Sequence, residues 1–115
     1  METNYTILVP GQPPREATAD LPMIPTYGDL KLTIGPVFRE VFGGAMWEHV
    51  TIMLEDGSRS DMFVDEHFVP KRLPLNPEAT AHYRRATLTQ EPGTNPNGLP
   101  AILGPAVVFH RQIWF

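Results

Sequence analysis

The sequence predicts an α+β domain: a mainly antiparallel sheet of four or five strands, with two or three short helices packed on one face. Three observations carry that prediction. Short runs rich in β-branched and aromatic residues end at Pro10-Gly11 and at Asp56-Gly57, or begin after Gly104-Pro105. Apolar residues at helical spacing recur only in short stretches. The length, 115 residues and 12.9 kDa, is that of one compact domain, 1–115, large enough for a single core.

Each element follows from local chemistry. Asn4 to Val9 reads as a strand stopped at Pro10-Gly11, and Arg15 to Asp20 as a second, after the Gln12-Pro13-Pro14 loop. Pro22 and Pro25 hold the next stretch irregular. Residues 26–34 permit two readings. Thr26 and Asp29 are spaced for a capping box, which starts a helix, whereas Leu30, Leu32 and Ile34 alternate as in a strand. Val37, Phe38, Val41 and Phe42 share a helical face, and Gly43-Gly44 supplies a left-handed stop. One or two short helices are therefore expected between 27 and 42.

Ala45 to Leu54 is the clearest strand. Val50, Ile52 and Leu54 line one face, and Trp47, His49, Thr51 and Met53 the other. Glu55-Asp56-Gly57-Ser58 suits a hairpin turn, returning through a partner strand at 60–65. Pro70 to Pro74 reads as a connector. Asn76-Pro77-Glu78 combines an N-cap, a proline for the first helical position and an acid for the dipole. That helix is expected to run to about Ala86, with Ala79, Tyr83 and Ala86 inward. Residues 88–100 read as a long exposed loop. Ala106 to Phe109 is continuously apolar, as in a central strand, and Ile113, Trp114 and Phe115 imply that the following segment docks.

Composition narrows function. The absence of Cys excludes disulfide scaffolds, thiolate metal sites and thiol nucleophiles. Aromatics at 10% and a net charge of −4 argue against disorder. Apolar runs are too short for a membrane span. The start, Met1-Glu2-Thr3-Asn4, lacks the basic and apolar stretches of a signal peptide, so a cytoplasmic location is expected. Charge is polarised. Residues 1–68 carry eleven acidic and four basic side chains, and residues 69–115 two and five. The two regions either steer partners or neutralise one another in the fold.

The second half has a recognisable order: Asp61-Met62-Phe63-Val64-Asp65-Glu66, then Leu73-Pro74-Leu75-Asn76-Pro77-Glu78-Ala79-Thr80-Ala81, then Gly104-Pro105-Ala106-Val107-Val108. This order resembles a family of small proteins of unknown function encoded by phages, plasmids and other mobile elements. Residues 26–44 depart from it. The resemblance implies a mobile-element context in a bacterial host, with no assigned activity and no catalytic residues to carry over.

Four constellations are candidates for function. The acidic hairpin, Glu55, Asp56, Asp61, Asp65 and Glu66, is a candidate partner-binding surface; Asp61 and Asp65 stand ~13 Å apart along a strand, too far for one ion. The alternative is a solvated turn and a charged edge strand. The histidines His49, His67, His82 and His110 show no metal-ligand spacing, so neither a metal nor a cofactor is expected. The basic group Lys71, Arg72, Arg84 and Arg85 is a candidate anion site, against the alternative of a solvated face. Trp47, Met53, Trp114 and Phe115 are candidate interface aromatics and apolar neighbours. If Val50, Ile52 and Leu54 face the core, Trp47 and Met53 need other cover: the 88–100 loop, the C-terminal segment or a second copy.

Ser58 and Ser60 lie outside any nucleophile elbow, and Gly43-Gly44 lacks a phosphate-loop context. The expectation is a non-enzymatic accessory protein that binds a protein partner, with counter-defence or host takeover as its setting. A small-molecule, nucleotide or anion-binding domain is the alternative, and a structural homodimer a third. The acidic balance argues against a nucleic-acid partner.

Overall fold

In the computed structural model of the chain, residues 1–44, 46–67 and 71–115 are described. The expected first residue of the third strand, Ala45, and of the connector, Pro70, lie outside them. The fold is α+β, with a five-stranded antiparallel sheet and three α-helices among the described residues. Strand β1 (Glu2–Leu8) and strand β2 (Arg15–Asp20) form a hairpin in which Glu2 faces Asp20. Helices α1 (Tyr27–Thr33) and α2 (Gly35–Phe42) follow. Strand β3 (Trp47–Met53) and strand β4 (Arg59–Asp65) form the second hairpin. Helix α3 (Pro77–Gln90), a 3-10 turn at Pro96–Gly98 and strand β5 (Ala106–Phe109) complete the order.

The strands lie side by side as β2-β1-β5-β4-β3. The apolar β5 is thus central, with Tyr5 opposite Phe109 on one side and Met62 opposite Val108 on the other. Directly paired residues share a face. Tyr5, Ile7, Phe63, Val107 and Phe109 therefore point one way, where Phe38, Phe42 and Ile113 cover them. Leu8, Met62, Val64, Ala106 and Val108 point the other way, where Ala79 and Ile102 cover them.

This corrects the expectation of helices on one face: α1 and α2 pack on one side, α3 on the other. The reason is written in β4 and β5. Both bury successive residues rather than alternate ones, the pattern of a strand covered on both faces.

The ambiguity at 26–34 resolves as helix. The Thr26 hydroxyl accepts from Asp29 N at 3.1 Å, and the Asp29 carboxylate accepts from Thr26 N at 2.8 Å. Ile34, one helical turn beyond Leu30, is buried in the core, and Leu30 packs against it. Leu32, between them, is 82% exposed. The expected loop at 88–100 also begins later, because α3 continues to Gln90. The hydroxyls of Thr87 and Thr89 bond back to the carbonyls of Tyr83 and Arg85, and Arg85 ties this last turn to β3 through the Met53 carbonyl at 2.9 Å. Tertiary contact here overrides the weak helix propensity of threonine.

Candidate functional site

The acidic hairpin is not one surface. Glu55, Asp56 and Glu66 are exposed, but Asp61 and Asp65 are only 2% and 3% exposed. Both point to the face of Phe63, into packed structure. Asp61 Oδ2 accepts from the backbone N–H of Ile113 at 2.7 Å and of Trp114 at 2.8 Å. Its Oδ1 accepts from His49 Nε2 at 2.6 Å, which holds the imidazole in place. Asp65 accepts from the His67 amide at 2.8 Å and pairs with Lys71 Nζ at 2.7 Å. Burial pushes the Asp65 carboxyl up, but the hydrogen bonds from Lys71 and the His67 amide outweigh it and hold it below the ordinary aspartate value. These two acids hold the fold, which corrects their expected role as accessible partner contacts.

The expected basic group is likewise divided. Lys71 is committed to Asp65. Arg72 is exposed and has a left-handed backbone, φ 54°. Arg84 donates to the Leu99 carbonyl at 3.3 Å, and its Nε is buried with no partner among the described residues. Arg85 donates to the Met53 carbonyl. No two of these cations share an anion-binding contact among the described residues.

His82 lies beside Arg85, 3.3 Å from it. Desolvation, then the Arg85 charge, lowers its pKa from the usual 6.5. The unfolded chain therefore takes up the proton first as pH falls, so folding stability drops from about pH 6.5 down to the depressed folded value. Denaturant midpoints measured across that window should fall with pH, and His82→Gln should flatten the slope. A slope unchanged in that variant would remove His82 as its source.

The expected interface group is also split. Trp47 and Trp114 meet edge-on, with ring centroids 5.7 Å apart, and Phe38 packs on Trp47 at 5.2 Å. The C-terminal segment and α2 are thus the cover that Trp47 requires. Met53 lies at the other end of β3, where its sulfur sits 3.5 Å from the Thr89 hydroxyl. Phe115 stays 69% exposed.

Beside the tryptophan pair lies a groove of about 270 Å³. Leu30, Ile34 and Phe38 of the α1–α2 segment line it together with Trp47 and Trp114. Tyr27 and Met46 stand at its mouth, 63% and 65% exposed. Among the described residues, its charged lining residues are Lys31 and Arg39. Neither enters an ion pair among the described residues. Sequence reading found the tryptophans and expected a short helix at 27–42, but did not join that helix to them in one site. The available signal was Tyr27, Leu30, Lys31 and Ile34 on one side of a short capped helix.

The second surface feature is the outer edge of β3. Leu54 N donates to the Ser58 carbonyl, and Glu66 N donates to the Met46 carbonyl. In an antiparallel ladder this directs the backbone groups of Glu48, Val50 and Ile52 toward β4, and those of Trp47, His49, Thr51 and Met53 outward. Arg85 occupies the Met53 carbonyl. Among the described residues no strand pairs with the remaining outward groups. β3 carries one exposed charge, Glu48, but no lysine, proline or bulge of the kind that commonly blunts an edge. The opposite edge, β2, carries Arg15, Glu16 and Asp20.

A third cluster joins Thr6, Glu16 and His110, which sequence reading did not assemble. The Thr6 hydroxyl donates to Glu16 at 2.9 Å and lies 2.7 Å from His110 Nε2. A nucleophilic triad needs the imidazole to receive the hydroxyl proton and the carboxylate to orient the imidazole. Here both partners converge on the hydroxyl, so the cluster closes the β1–β2–β5 surface as a hydrogen-bond network. Among the described residues, no three His, Asp or Glu side chains form a metal-binding group, and no helix is long and apolar enough to cross a membrane. No protein-family model matches the chain, and no curated protein or solved structure matches it either.

Proposed function

We propose that the chain is a non-enzymatic binding module that takes an extended segment of a protein partner as a sixth strand on the outer edge of β3. The open edge carries this reading. Among the described residues, the outward backbone groups of Trp47, His49 and Thr51 have no strand partner, and strand addition is a general route to peptide recognition. The commitment of Asp61, Asp65, His49 and Arg85 to structural bonds supports binding over chemistry. A mobile-element accessory role in the cytoplasm of a bacterial host is the setting that the sequence resemblance favours.

Thr51→Pro tests the mode. It deletes an outward N–H and leaves the β3–β4 ladder its bonds. A displayed random peptide library should yield binders of the wild-type protein that lose about tenfold or more in affinity for a folded Thr51→Pro variant. Binders indifferent to the substitution, or none at all, would overturn the reading. A second copy on the same edge is the competing occupant. In that case light scattering would give twice 12.9 kDa for the wild type and a monomer for Thr51→Pro.

A further inference from the structure

We infer that the groove between α1–α2 and Trp114 is a small-ligand site for an arylalkanoate: one aromatic ring on a short chain that ends in a carboxylate. This goes beyond strand addition and uses different groups.

Size is the first argument. A cavity near 150 Å³ accepts a bare benzene ring, and drug-sized ligands begin near 300 Å³. The groove, at about 270 Å³, suits a ring with a short arm.

The lining is the second argument. The ring would meet Leu30, Ile34, Phe38 and the two indoles. These walls are already fixed by aromatic packing: Phe38 lies 4.8 Å from Phe63 and 5.2 Å from Trp47. A site held open by rigid walls binds without first paying to order itself.

Charge is the third argument. The chain is acidic overall, at −4, yet the charged lining of this groove is Lys31 and Arg39. Both cations line the groove, and among the described residues no lining carboxylate cancels their charge. A neutral or cationic aromatic would leave that charge unanswered. An anion at the end of a short arm answers it while the ring stays in the apolar part.

The probe is 4-phenylbutyrate, and the protein supplies its own reporter. The chain has two tryptophans, and both line the groove. Titration should change their emission saturably. The neutral isostere 4-phenylbutanamide should bind about tenfold more weakly, as should the folded double variant K31Q/R39Q with the acid. No saturable change at millimolar acid would overturn the proposal. Equal affinity for acid and amide, or for wild type and double variant, would overturn it too. The two readings fail separately. Thr51→Pro should leave phenylbutyrate binding intact, and K31Q/R39Q should leave the β3 edge intact.

Discussion

Replacing Asp61 by Ala should cost about 3 kcal/mol or more and loosen the C-terminal segment from the sheet. The carboxylate serves three donors at once: the amides of Ile113 and Trp114, and His49 Nε2. Ile113 is fully buried against Phe63 and Phe109. Removing the acceptor leaves buried N–H groups without partners, each costing about 1–3 kcal/mol. His49 stacks on Trp114 at 5.2 Å, so imidazole and indole should lose their fixed positions together. Denaturant melts followed by tryptophan emission check this: the midpoint falls and the folded baseline shifts red. Asp61→Asn keeps one oxygen as acceptor for both amides but turns its N–H₂ toward His49 Nε2, so it should recover only part of the loss. A change under about 1 kcal/mol in Asp61→Ala would mean that the segment is held by apolar packing alone.

The second large effect is expected at Asn76, which is 3% exposed. Its Oδ1 accepts from Ala79 N at 3.2 Å and so caps α3. Its Nδ2 donates to the Leu8 carbonyl at 3.1 Å and to the Gly104 carbonyl at 2.9 Å. One amide thus joins the helix, the end of β1 and the turn before β5. Asn76→Ala removes the cap, worth roughly 1 kcal/mol, and strands two buried carbonyls, for a total of about 3 kcal/mol. Asp is an equally good cap on an isolated helix. Here Asn76→Asp should be at least as damaging as Asn76→Ala, because it sets a carboxylate against two carbonyl oxygens in the interior. Chemical denaturation of both variants decides the matter. If the Asp variant matched the wild type, the bridge to β1 and β5 would carry no weight.

These two residues show where sequence reading works and where it stops. Asn76 is legible as a cap, because the cap depends on Pro77 and Glu78 beside it. Its donors act on Leu8 and Gly104, far along the chain, and no local pattern announces them. Asp61 is legible only as one of five nearby acids. Its burial follows from β4 being flanked by β3 and β5, with the C-terminal segment folded across it. The central position of β5 was readable from its unbroken apolar run. The placement of helices on both faces was readable too, in the equally continuous Met62-Phe63-Val64, but the acids at either end of that run disguised it. The capping box at Thr26 and Asp29 outweighed the alternation of Leu30, Leu32 and Ile34, because a helix satisfies the same two inward residues one turn apart. The groove was half legible. Its tryptophans stood out, but its cations lie on helices whose packing partners are set by the whole sheet.

The position of β5 also bears on how the chain reaches this state. Tyr5 pairs with Phe109, about a hundred residues later, and Met62 pairs with Val108. The two local hairpins therefore form from nearby sequence, but among the described residues no strand pairing joins them until β5 inserts between them. High contact order of this kind slows folding toward the millisecond-to-second range. During synthesis the facing edges of β1 and β4 wait unpaired until the last of the five strands leaves the ribosome, and that interval is when stray pairing with other chains is most favoured.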